Sequence, residues 1–169
     1  IAKEKAGIIK RHRAQGAGHK AIVISAPQEK EAMDVIRNKC LETAAKLYIV
    51  GKDLKYRKNK TRFDIYGPFG KYKNLKINLI GRHQLVNATA AVGVIEALRC
   101  QNIEISSGAI KRGLYNTVWP GRCEVISRNP AVVLDGAQNA ASAAAIKKAI
   151  KDNFRYKKLI LVLGISSDK

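Results

Sequence analysis

Acidic side chains are scarce in this sequence of 169 residues: 13 Asp and Glu stand against 32 Lys and Arg, a formal net charge of +19. An excess of that size attracts polyanions on electrostatic grounds alone. Long apolar runs are also missing. Stretches such as 21–26 and 159–163 fall far short of the roughly 20 residues that a bilayer-spanning helix needs. Cysteine is sparse and odd in number, with Cys40, Cys100 and Cys123 widely spaced and no CxxC pair. That excludes a disulfide framework and a zinc knuckle, and it fits a reducing cytoplasm. His12, His19 and His83 form no metal-ligand spacing with these cysteines. Aromatic residues make up 6% of the chain, which leaves few platforms for stacking bases, so nucleic acid is not expected as a partner despite the charge.

What is present is the composition of a globular protein, 46% hydrophobic and 27% charged, rather than that of a disordered one. The length suits one domain, or one domain and a piece of another. The chain begins with Ile1 and has no charged-then-apolar leader pattern, and it reads as a fragment. The positive charge is spread along it, with 20 basic and 7 acidic residues in 1–82 and 12 and 6 in 83–169. The densest stretch, 52–62 (KDLKYRKNKTR), holds six basic residues and one acidic. A solvated loop or hairpin surface explains it as well as a nucleic-acid groove does.

Along the chain, a β-branched run at 21–25 predicts a strand that ends before Pro27. Apolar residues at Ala32, Met33, Val35, Ile36, Cys40, Leu41 and Ala44 then predict a helix, and 47–50 a second strand. Strand, helix and strand in that order signal an α/β layer. Runs at 62–66 and 75–80, separated by Gly67-Pro68-Phe69-Gly70, predict an antiparallel hairpin. From His83 the spacing of Leu85, Ala88, Val92, Ile95 and Leu98 predicts a long helix, and Ser106 or Ser107 can cap a shorter one. Beyond the Trp119-Pro120-Gly121 break come a predicted strand at 131–134, an alanine-rich helix at 139–152 and another strand at 158–163. A boundary near 117–122 leaves a second unit of about 50 residues, too small to bury a good core alone.

Neither a Walker A loop nor a GxGxxG turn is present. Five short segments stand out instead: EKAGIIK (4–10), GRHQLVNA (81–88), WPGRCE (119–124), DGAQN (135–139) and LGISSDK (163–169). In this order and spacing they resemble the folylpolyglutamate synthase and dihydrofolate synthase family, a branch of the Mur ligase superfamily. The family patterns are EKAGIIK, GxHQxxNAxxA, WPGRxE, DGAHN and GxxxDKD, and the resemblance runs through residues 1–169. It implies an α/β architecture in which 1–119 end the central, P-loop-type ATP-binding domain. Residues 120–169 would begin the Rossmann-like carboxy-terminal domain. The family's amino-terminal phosphate loop and the end of its last domain would lie outside this chain.

The resemblance further implies an ATP-dependent ligase that joins a folate or dihydropteroate carboxylate to L-glutamate through an acyl phosphate, with ATP and Mg²⁺ required and no membrane involved. The complete protein would be a monomer. Lys5 takes the place of the family's carbamylated lysine, whose carbamate supplies the hard oxygens magnesium prefers; unaided, the local residues say only helix end with a glycine cap. Asn87 takes the place of an adenine-binding amide, or bonds locally near a helix start. Arg122, after a rigid Pro-Gly turn, is placed to bring a guanidinium fork to phosphate or ribose oxygens, with Glu124 orienting it. Asp135, at a strand's carboxyl end where α/β sheets hold ligands, would meet the ribose hydroxyls, or simply cap the next helix. Position 138 is usually His in the family; Gln138 can hydrogen-bond but cannot carry charge near neutral pH. Asp168 and Lys169 match the start of the last motif. A basic nucleic-acid module and a non-functional remnant are the competing readings.

Overall fold

The computed structural model describes residues 1–11, 21–68 and 70–164. His12, His19, Phe69, Asp168 and Lys169 lie outside the described residues. The architecture is mixed α/β, as the alternation of sequence patterns predicts. A short helix α1 (Ala2–Ala6) comes first, then β1 (Ile22–Ser25), α2 (Lys30–Thr43) and β2 (Lys46–Ile49). β1 and β2 pair in parallel, with Ile22 opposite Lys46 and Ser25 opposite Ile49. Parallel neighbours need a crossover, and α2 provides it. Ala6 and Ile9 pack on Cys40 of α2, with Val23 and Leu47 of the two strands beside them. Gly7 follows α1 with φ −57°, so it closes the helix in right-handed geometry and not in the left-handed glycine cap that the sequence suggests.

Three strands follow: β3 (Lys55–Asn59), β4 (Arg62–Gly67) and β5 (Gly70–Leu75) form an antiparallel sheet in sequential order. The predicted hairpin is therefore present, but its second strand lies at Gly70–Leu75 and not at 75–80. Phe63, Ile65, Tyr72 and Leu75 line its inner face and pack on Ala88 and Val92 of α3 (His83–Ala97) and Ile110 of α4 (Ser107–Asn116). The α3 stripe is Gln84, Ala88, Thr89, Val92, Gly93 and Glu96, a 3.6-residue repeat. Three of its members are polar, and the predicted Leu85 and Ile95 are only partly buried beside it. Gly93 is where α3 meets the parallel strands. A Cβ there would come within 2.7 Å of Leu54 Cδ2 and 3.2 Å of Ile24 Cγ2, so the close approach of helix to sheet depends on a residue with no side chain.

Ser106 caps α4, its hydroxyl accepting the Ala109 N–H at 3.2 Å. After the 117–122 break, β6 (Glu124–Arg128) and β7 (Ala131–Leu134) form an antiparallel hairpin, and α5 (Ala140–Asn153) follows. β6 is not apparent from sequence pattern. The strand predicted at 158–163 is not formed: these residues pair with no strand among the described residues, and Leu159, Ile160, Leu161, Val162 and Leu163 are 60–92% exposed. A strand exists only through a neighbour's backbone groups. No helix among the described residues is long and apolar enough to cross a membrane.

Candidate functional site

The break at 119–122 and the loop after β7 are sewn together by backbone bonds. Arg122 N–H donates to Trp119 C=O at 3.3 Å, closing a tight turn, and Gly136 N–H donates to Gly121 C=O at 2.8 Å. Glu124 Oε2 accepts the Gly121 N–H at 2.7 Å, so this carboxylate orients the turn that carries Arg122 through its backbone. Asp135 leaves β7 at its carboxyl end. Its Oδ2 accepts the Cys123 N–H and its Oδ1 the Ala137 N–H, both at 2.8 Å. Asp135 is thus not the cap of α5. Asn139 is, through a capping box with Ser142 in which Asn139 Oδ1 accepts the Ser142 N–H at 2.9 Å.

These segments wall a cavity of about 740 Å³, whose lining includes His83, Trp119, Arg122, Asp135, Gln138 and Asn139. That size is within the range of small-molecule sites, about 300–1,000 Å³. Arg122 lays its guanidinium over the Trp119 ring, 5.5 Å from the centroid, a cation–π contact that parks the charge at the wall. An ionised carboxylate can accept about four hydrogen bonds, so Asp135 keeps lone pairs for a ligand after holding two backbone groups. Burial pushes the neighbouring Cys123 thiol above its ordinary pKa, and the Asp135 charge adds to the rise.

On the opposite wall the loop into α3 brings His83. Gly81 has φ +119°, and a Cβ there would lie 2.5 Å from His83 Cε1, so only glycine lets the ring fold back over the turn. Gln84 Nε2 lies 3.0 Å from His83 Nε2, and Asn87 Nδ2 donates to Gln84 Oε1 at 3.0 Å. An amide nitrogen can only donate, so in this contact His83 Nε2 is the acceptor. Arg82, beside it, pairs with Asp152 of α5 at 3.0 Å and ties the two walls.

Three of the five residues singled out from sequence, Arg122, Asp135 and Gln138, are brought together at this cavity. Asn87 is exposed one turn inside α3, outside the lining, and reaches the cavity only through Gln84 and His83. Lys5 is exposed on α1, which packs against α2, and it does not line the cavity. No three His, Cys, Asp or Glu side chains converge among the described residues. The described residues do not by themselves fit a magnesium ion, and Lys5 offers one ligand at most. Trp119, Asn139 and Ser142 are among the lining residues for which the sequence suggests no binding part.

Residues 1–95 match the Mur ligase middle domain. The chain therefore belongs to the Mur ligase family. Within it, the resemblance to the folylpolyglutamate and dihydrofolate synthases is borne out. The chain is 30% identical over 175 residues to the dihydrofolate synthase/folylpolyglutamate synthase of Bacillus subtilis (strain 168), covering 100% of this chain and 39% of that protein. To the folylpolyglutamate synthase of Lacticaseibacillus casei it is 29% identical over 175 residues, with the same two coverages. A solved FPGS–AMPPCP–folate complex superposes with a TM-score of 0.79 at 27% identity, covering 92% of this chain and 37% of that one. The chain spans about two-fifths of the length of the relatives it matches.

Proposed function

We propose that this chain supplies one wall set of the nucleotide site of an ATP-dependent ligase, acting as a monomer in the cytoplasm. That ligase joins the carboxylate of dihydropteroate, or the terminal γ-carboxylate of a folate, to the α-amino group of L-glutamate. The γ-phosphate of ATP passes to the carboxylate, the amine displaces phosphate from the acyl phosphate, and an amide bond remains. In this reading 1–119 end the central domain and 120–169 begin the carboxy-terminal one, so the cavity between His83 and Asp135 lies where the two meet. Asp135 accepts the ribose hydroxyls with its remaining lone pairs, and Arg122 leaves Trp119 to neutralise phosphate oxygens. Gln138 hydrogen-bonds to the nucleotide without charge, and Asn87 presents its amide toward the base edge. Lys5, carbamylated, contributes an oxygen ligand to a magnesium site completed by residues outside this chain.

The observation that supports the reading best is that WPGR and DGAQN, at the two ends of the β6–β7 hairpin, are hydrogen-bonded to each other around one cavity that His83 of α3 also lines. The test is calorimetric titration of ATP into a full-length ligase in which the Bacillus subtilis relative supplies the residues flanking this chain. Asp135→Ala or Arg122→Ala is expected to weaken nucleotide binding tenfold or more. Unchanged affinity in both variants overturns the site assignment.

A further inference from the structure

Nine of the 32 basic residues lie within 52–76, against two of the 13 acidic ones. The part of it at 52–62 is the solvated hairpin surface that the sequence allows, with β3 exposed along its whole length, and β4 and β5 complete a three-stranded sheet, one face of which is buried on α3 and α4. Pairing register fixes what the other face carries. Lys55 is opposite Tyr66, which is opposite Lys71; Arg57 is opposite Asp64; Asn59 is opposite Arg62. Residues opposite one another share a face, and alternation puts Lys73, next to the buried Tyr72, on the same side. The outer face thus carries five cations and one carboxylate, Asp64, around the Tyr66 ring.

None of the nine cations is in an ion pair among the described residues; every ion pair found lies elsewhere. The two carboxylates in the stretch are committed to local hydrogen bonds. Asp53 Oδ2 accepts the Ile49 N–H at 2.8 Å, and Asp64 accepts from Asn74 N–H at 2.7 Å and from the Tyr66 hydroxyl at 3.3 Å. Like charges gathered on a sheet face repel, so the arrangement works against the fold unless an anion covers it.

We propose that the outer face of β3–β4–β5 binds single-stranded nucleic acid, through the phosphates on Lys55, Arg57, Arg62, Lys71 and Lys73 and a base on the Tyr66 ring. The face has no exposed aliphatic side chain to enter a bilayer, which sets it against an anionic membrane. Its cations repeat about 6.8 Å apart along a strand, two residues at a time, in rows that can track an extended backbone. The low aromatic content of the whole chain does not decide the matter, because backbone contacts carry most of such affinity and one central ring is in place.

The experiment is fluorescence anisotropy of a labelled twelve-nucleotide oligouridylate with the 169-residue chain, titrated from 50 to 300 mM NaCl. Expected is a log–log salt slope of about −3, as four to five phosphate contacts by a single strand give. Lys55→Gln/Arg57→Gln/Arg62→Gln should weaken binding at least tenfold and flatten the slope by about 2. A control with the same charge change elsewhere, Lys147→Gln/Lys151→Gln/Lys157→Gln, should stay within threefold. Tyr66→Leu should lose several-fold while Tyr66→Phe keeps the affinity, and far-ultraviolet circular dichroism checks each fold. A flat salt response, equal losses in face and control variants, or equally tight binding of polyglutamate or of anionic vesicles overturns the proposal.

Discussion

Tyr72 and Glu96 form the most consequential single contact in the core. The Tyr72 hydroxyl donates to Glu96 Oε1, and Arg99 Nη1 lies 3.4 Å from the other carboxylate oxygen. Burial first, then the hydrogen bond and charge of Glu96, push the Tyr72 pKa up to about 12. The unfolded chain releases that proton near its ordinary value of about 10. The stabilisation is therefore complete below pH 10 and is lost as pH rises toward 12. Urea midpoints measured across this window should fall in the parent and fall less in Tyr72→Phe. At pH 7 the same variant should be less stable by about 1–3 kcal/mol, because Glu96 keeps its burial and loses its donor. A second titration concerns the cavity. Asp135→Asn removes the charge beside Cys123, so thiolate absorbance should appear at lower pH than in the parent, yet still above the ordinary thiol range because burial remains the larger cause. Cys40 and Cys100 would be replaced by Ser for that measurement. Much of this neighbourhood is legible in sequence: a Pro-Gly turn exposes Arg122, and a strand end exposes Asp135. The hydrogen bonds that join the two loops are not, since they are made by backbone groups that any residues could supply. Asn139 and Ser142 do carry a signal, an amide three residues before a hydroxyl at the start of an alanine-rich run.

Helices proved easier to read than strands, for reasons visible in particular residues. α4 and α5 open on the side-chain caps Ser106 and Asn139, whereas α2 and α3 have no capping side chain, Leu41 of the predicted α2 face is exposed, and α3 buries Gln84, Thr89 and Glu96, which a count of apolar residues passes over. In β5 the buried residues are Tyr72 and Leu75, three apart, because Asn74 sits at φ +62° beside a register irregularity. That breaks the period of two on which strand reading rests. β6 is hidden in the same way by the shift between Val125 and Ser127. The packing of α3 on the parallel pair gives a direct test. Gly93→Ala pushes a methyl toward Leu54 and Ile24 and should cost about 1–3 kcal/mol as overpacking, seen as a lower thermal midpoint. Asn139→Ala opens the capping box of α5 and should cost about 0.5–2 kcal/mol, measured by the same melt.

Taken as one body, the molecule combines a net charge of +19 with an uncovered apolar run at 159–163. Mutual repulsion of like-charged molecules opposes association, and salt screens it. Sedimentation velocity should therefore show self-association that grows with added NaCl, and Leu161→Lys should suppress it by placing a charge in the middle of the run. The sequence of that run reads as a strand buried on both faces; its neighbours, not its own residues, decide whether it becomes one. The contact between Arg122 and Trp119 has a further use. Trp119 is the only tryptophan in the chain, so all indole emission originates at the cavity wall with a guanidinium 5.5 Å from the ring centroid. Any anion that draws the arginine away alters that emission, and the protein carries its own optical gauge of where Arg122 is.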